Sequence, residues 1–282
     1  MKRWKATFNS ATSLLDYEIA TYFSHFIKDT KLPWSSLKDI GFSKPTVTVP
    51  DFTATHALIS RYGDTRNFPA KHKGTSRLGP HLRFGTVSVR KMVKKAQDAD
   101  GEVFLSELIW REFFMQILWH FPHTATASFK PKYDGIAWRN DEQEFERWKQ
   151  GQTGYALVDA GMRELNQTGY MHNRVRMLVA SFLCKHLLID WRWGEAYFAS
   201  KLLDYEMASN VGNWQWAAGS GVDAAPYFRI FNPITQIEKF DKDHSYINTW
   251  VPELQELTYP KKMVDHKLAR ERCLRVYKEA VG

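Results

Sequence analysis

Cysteine is nearly absent: the 282 residues hold two, Cys184 and Cys273. Two thiols with no paired spacing exclude a disulfide framework and a cysteine-based metal site, and they fit a reducing interior. Cys184 lies in the apolar run 178–188, where a buried thiol is ordinary. That run is broken by Lys185 and His186, too early to span a bilayer. The basic start Met1-Lys2-Arg3-Trp4-Lys5 is followed by no apolar stretch, so no secretory signal is read. Strand signals are equally scarce. The β-branched residues 46–49 stand between Pro45 and Pro50 and read as extended loop. Neither βαβ alternation nor a repeat period occurs.

What is abundant is aromatic and basic. Aromatics reach 15%, with 11 Trp and 18 Phe, enough for a thick core and also for stacking on bases or a planar cofactor. At 44% hydrophobic content the chain is not disordered, and its length suits one large domain. The net charge of +8 is the footprint of a phosphate-backbone binder, although a merely soluble basic surface would give the same figure.

The helical period dominates. Helices are expected over 14–28, 87–97, 104–121, 155–167, 172–189, 194–208 and 266–278, punctuated by Gly154, Gly169 and Gly194. A Pro- and Thr-rich loop covers 44–55. The expected architecture is all-α, a single domain over 1–282.

Four stretches carry candidate chemistry. On the helix at 104–121, Glu107, Trp110, Arg111 and Phe114 fall at i, i+3, i+4 and i+7 on one face. A surface Glu107–Arg111 pair explains this blandly, but charges set among aromatics on both sides would need partners, and a ligand is one. Gly74 to Pro80 offers small residues, two hydroxyls and an arginine, which suit either a capped turn or a pyrophosphate cradle. Asn173, Arg174 and Arg176 put amide and guanidinium donors in one turn, fit for a base edge or phosphate, or simply solvated. In 204–216, acids, amides and indoles converge beside the Ala- and Gly-rich stretch 217–221, which lets a ligand approach the backbone.

Read together, GTSRLGPHLRFG, ELIWREFF, TGYMHNRVRM and NWQWAAGSGVDAAPYFRIFNP resemble the photolyase and cryptochrome family, in its order and spacing and over essentially the whole chain. The resemblance implies the helical FAD-binding domain of that family, closest to the class I-like cyclobutane pyrimidine dimer photolyases. Tyr62 and Thr75, Ser76, Arg77, Leu78 and Gly79 would hold the FAD phosphates, with Arg111 nearby. Asp204, Tyr205 and Glu206 would border the isoalloxazine, Asp204 pairing with Arg176, and Asn210 would face the flavin N5. Trp138, Trp191 and Trp214 match the tryptophan relay that photoreduces the flavin. Glu107, Trp110, Asn173, Met177 and Trp216 match the lining of a pocket for a flipped-out dimer, and Arg66 and Arg174 would meet DNA phosphates. The implied activity is light-dependent dimer repair by electron transfer from excited FADH⁻, with no metal.

The chain begins about where the family's N-terminal α/β antenna domain ends. No antenna chromophore is therefore expected on it, and a separate domain would complete the otherwise monomeric, intracellular (cytoplasmic, nucleoid-associated) protein. Smaller departures are Phe104 and Tyr170 where relatives often have Trp, Gly79 where Ser is common, and Glu206 where Asp is frequent. A cryptochrome-like photoreceptor is the first rival and a (6-4) photolyase another. From a different class comes a DNA-binding remnant without flavin, which would be colourless.

Overall fold

Apolar residues recur at helical spacing along most of the chain, and the computed structural model, which describes residues 6–8, 10, 19–28 and 35–282, forms helices and no strand among those residues. The chain divides into two compact units, 1–48 and 49–282. In the first, the described part of the expected helix at 14–28 holds a 3-10 turn, Ala20–His25; residues 14–18 lie outside the described residues. Residues 46–49 carry no regular structure. Among the described residues no helix is long and apolar enough to cross a membrane.

The second unit opens with three short helices, α1 (His56–Ser60), α2 (Tyr62–Thr65) and α3 (Gly79–Arg83). Next come α4 (Val89–Asp98), begun by Ser88, whose hydroxyl accepts from the Lys91 amide, and the long α5 (Glu102–His120). The short α6 (Glu142–Lys149), capped by Asp141, has no counterpart in the sequence reading. α7 (Ala156–Thr168) stops at Gly169, whose φ of 67° is the left-handed conformation that ends helices.

Two expected helices are corrected. Instead of one helix over 172–189, α8 (Asn173–Ser181) runs into a π-helical turn, Phe182–Leu187, and stops at Leu188. The wider turn carries two buried polar groups to distant partners: Lys185 donates to the Arg229 carbonyl at 2.9 Å, and His186 Nε2 meets His266 Nδ1 at 2.8 Å. The helix expected over 194–208 is really α9 (Trp191–Lys201), begun by Asp190 and ended where Leu202 turns extended. A new helix, α10 (Met207–Ala218), follows. The Glu206 carboxylate starts it by accepting from the Ala208 and Ser209 amides, both at 2.9 Å. α11 (Pro233–Phe240), α12 (Ser245–Trp250) and α13 (His266–Val281) complete the unit.

α10 is central, packing on α5, α8 and α9, while α7 lies against α8 and α12. The core between them includes Trp148, Phe182, Trp191, Phe198 and Trp214. α9 and α10 come close because Gly194 has no side chain. A Cβ there would lie 2.2 Å from Trp214 Cη2 and 2.6 Å from Leu183 Cδ2. Gly194→Ala should therefore overpack the crossing and cost about 1–3 kcal/mol. In thermal denaturation that is a fall of several degrees, at about 2–4 °C per kcal/mol for a domain of this size. An unchanged Tm would mean that Trp214 moves aside freely.

Candidate functional site

Three cavities lie side by side in the second unit. The first, about 90 Å³, is enclosed by α8, α9, α10 and the link between the last two. Asn173, Arg176 and Met177 face it from α8, and Asn210, Trp214 and Trp216 from α10, with Asp204, Tyr205 and Glu206 in the link. The second, about 220 Å³, is lined by Tyr62, Arg66, Glu107 and the turn containing Thr75, Ser76, Arg77, Leu78 and Gly79. Asn173, Arg176 and Asp204 belong to both, so the two hollows share a wall. The third, about 210 Å³, lies behind that turn, with Thr75, Arg77 and Tyr170 common to it and the second.

The shared wall is electrostatically specific. Arg176 Nη2 lies 2.9 Å from Asp204 Oδ2, and its Nε donates to the Met171 carbonyl at 2.7 Å. The other Asp204 oxygen, Oδ1, is buried without a hydrogen-bond partner. A buried carboxylate oxygen left open in a cavity wall is an acceptor for a ligand N–H. Gly79 permits this placement, because a Cβ there would lie 2.6 Å from Asp204 Oδ2 and 2.9 Å from its Cβ. A serine at 79 would require Asp204 to shift.

Glu206 lines the first cavity, but both its oxygens are engaged in the α10 cap and the Ser209 hydroxyl donates to one of them at 2.8 Å. Asn210 directs its amide nitrogen at Glu195, 2.9 Å from Oε1 and 3.2 Å from the carbonyl. That leaves the amide oxygen uncommitted. Burial pushes the Glu195 carboxyl above its ordinary value.

Glu107 is paired, though not with Arg111 one turn away: its partner is Arg66, across 41 residues of sequence. Arg111 instead donates to the Leu82 carbonyl. The Tyr62 hydroxyl is pushed up to about 12, chiefly by burial and then by the Glu107 carboxylate, so it keeps its proton to donate. Arg77 has φ of 51°, a left-handed backbone that is uncommon for a side-chain-bearing residue, and its guanidinium sits over the Tyr170 ring at 5.4 Å. Arg176 approaches the same ring at 5.7 Å.

Trp110, Arg174, Trp138 and Trp191 stand outside these three cavities, whereas Trp214 lines the first. Trp110, one turn beyond Glu107, stacks on Phe114 at 5.9 Å. Arg174 donates to Asn67 at 2.5 Å and lies over Phe240 at 4.3 Å. Trp191 and Trp214 are buried in the main core cluster and Trp138 packs against it. The ring neighbours of Trp214 are Phe198 at 5.0 Å and Trp148 at 6.2 Å, and that of Trp138 is Tyr277 at 6.0 Å. Residues not singled out as site residues in the sequence also line the cavities, notably Tyr170, Phe198 and Ser209. For Phe198, in mid-helix, no sequence signal distinguishes it from core. Tyr170 follows a helix-ending glycine directly, which marks a turn where a side chain can enter a cleft.

A family model described as the FAD binding domain of DNA photolyase matches residues 104–258. The deoxyribodipyrimidine photo-lyase of Vibrio cholerae is 46% identical over 276 residues, covering 89% of this chain and 57% of that protein. The one from Halobacterium salinarum is 40% identical over 293 residues, covering 89% and 61%. A solved bacterial class III photolyase from Agrobacterium tumefaciens superposes with a TM-score of 0.75 at 44% identity, over 79% of this chain and 53% of that one. A cryptochrome from Synechocystis gives 0.73 at 33% identity, over 78% and 52%. The chain thus spans about half to three fifths of the length of these relatives.

Proposed function

The chain belongs to the photolyase and cryptochrome family through its FAD-binding domain, and from that premise we propose that it holds FAD in the two joined cavities and uses it to split cyclobutane pyrimidine dimers in DNA under light. The observation that carries this reading is the shared wall. A turn rich in hydroxyls and amides opens on one side of Arg176–Asp204, and a pocket edged with Trp and Met opens on the other.

The residues fit the cofactor. The open Asp204 Oδ1 suits an N–H of the flavin ring, and Arg176 sets a positive charge beside an electron-rich ring. Tyr62, Thr75 and Ser76 offer donors for a diphosphate. Bound there, reduced FAD supplies on excitation the electron that opens the cyclobutane ring and recovers it afterwards. The protein's part is to orient and to insulate. Trp216 and Trp110 give apolar faces to bases taken out of the stack. Glu107 and Asn173 both line the second cavity, and Glu107 would hydrogen-bond the dimer where charge develops. Arg66, Arg174 and the basic surface meet phosphates.

The test is the visible spectrum of the purified chain, followed by illumination with dimer-containing single-stranded DNA under reducing conditions. Flavin bands and light-dependent loss of dimers are expected. A flavin spectrum without repair would replace this reading with a light sensor, and a colourless chain would end it. In the same assay Glu107→Ala should retain flavin and lower the repair yield about tenfold, the low end of what a hydrogen bond to a charged group contributes. Complete loss of flavin in this variant would remove Glu107 from the lesion pocket.

A further inference from the structure

The third cavity shares Thr75, Arg77 and Tyr170 with the second, but the rest of its lining has no part in that chemistry and is built like a binding site. It lies behind the phosphate turn, closed on its far side by α12. Its polar groups are unevenly satisfied. His172 is 4% exposed, and its Nδ1 accepts the Arg174 amide at 3.1 Å. Burial, reinforced by Arg176 and Arg174, pushes this ring down to about 4, so near neutral pH it carries one proton, on Nε2. Nε2 is buried and has no partner. An orphaned buried donor is costly and is rare without an unseen acceptor. Beside it stands Glu164. Its Oε2 takes the Tyr246 hydroxyl at 2.5 Å and the His172 amide at 3.3 Å, and its other oxygen is left uncommitted.

A donor and an acceptor thus lie together in the lining, and Tyr170 and Trp250 contribute aromatic surface. Lys71 and Arg77 complete it with two cations, each of which rests on a ring and not on a carboxylate: Lys71 over Phe68 at 4.6 Å and Arg77 over Tyr170 at 5.4 Å. Paired donor and acceptor, aromatic surface and cations held in no direct ion pair match a planar heterocycle that carries a phosphate. We propose that this cavity is a second ligand site, taking a mononucleotide, separate from the cleft that would hold FAD.

The probe is AMP, titrated calorimetrically into the chain as purified and again with saturating FAD. One AMP per chain is expected in both titrations. Trp250→Ala and Lys71→Glu, neither of which lines the first two cavities, should each weaken it at least tenfold and leave the flavin spectrum unchanged. Ribose 5-phosphate and adenosine should each bind at least tenfold more weakly than AMP. Lys71 is exposed, so its variant decides the matter even if Trp250→Ala fails to fold. The proposal is overturned if FAD abolishes AMP binding, if AMP does not bind, if Lys71→Glu binds it normally, or if ribose 5-phosphate or adenosine binds equally well. A chain that retains no FAD would sink the flavin reading, and the AMP titration would still decide this one.

Discussion

Asp204→Ala should leave the purified chain colourless. Its carboxylate does two things at once. One oxygen neutralises Arg176 at 2.9 Å, and the other is the open acceptor in the wall between the first two cavities. Removing it leaves a guanidinium that keeps about a quarter of its surface, 24%, without its direct ion-pair partner. The stability cost falls between the roughly 1 kcal/mol of an exposed pair and the about 3–5 kcal/mol of a fully buried one. The lost acceptor costs cofactor affinity separately, about 1.5–3 kcal/mol for a hydrogen bond to a charged group, or roughly 10–150-fold. Flavin content after purification and Tm read the two effects independently. Asp204→Asn keeps an acceptor oxygen without the charge and should fall between. Full flavin content in the alanine variant would place the cofactor's polar contacts elsewhere.

Trp214→Phe should suppress light-driven reduction of bound oxidised flavin by about a hundredfold or more, while chemically reduced protein still repairs dimers. Trp214 is the candidate relay tryptophan that lines the first cavity. It is 2% exposed, and the bare face of Gly194 fixes its ring in place. Phenylalanine preserves an apolar ring but is far harder to oxidise than an indole, so the electron donor next to the cofactor disappears while the wall remains. Transient absorption under an external electron donor measures the first quantity, and a dimer-repair assay after dithionite measures the second. Photoreduction at the wild-type rate would take Trp214 out of the relay. Loss of both activities would mean that the ring is needed for packing alone.

The helical character was legible because apolar spacing records it residue by residue, and so were the helices that end at a glycine, such as α7 at Gly169. The break at Leu202 was not. Apolar spacing runs on through Leu202 and Leu203, and the next helix is begun by Glu206, a residue with little preference for that position. The π turn escaped for a similar reason: 182–187 is buried on every side, so periodicity there carries no phase. Partnerships across the chain were harder still. Local spacing offers Arg111 to Glu107, whereas Arg66, its partner, arrives only through the fold. The clustering of Thr75, Arg176 and Asp204 around one cleft was expected from resemblance to a family, since nothing in local chemistry ties three stretches so far apart.

The capping of α10 has a geometric consequence. An α-helix turns about 100° per residue, so residues four and seven apart share a face. Asn210, Trp214 and Ala217 share one face of α10 and reach the first cavity together. Glu206 fixes where that helix starts, through two amides and one hydroxyl. It therefore anchors the first turn of the helix that carries all three residues to the cleft. With no oxygen of its own to spare, it serves the cleft as a mooring, tying down the end of the helix whose far side forms the wall.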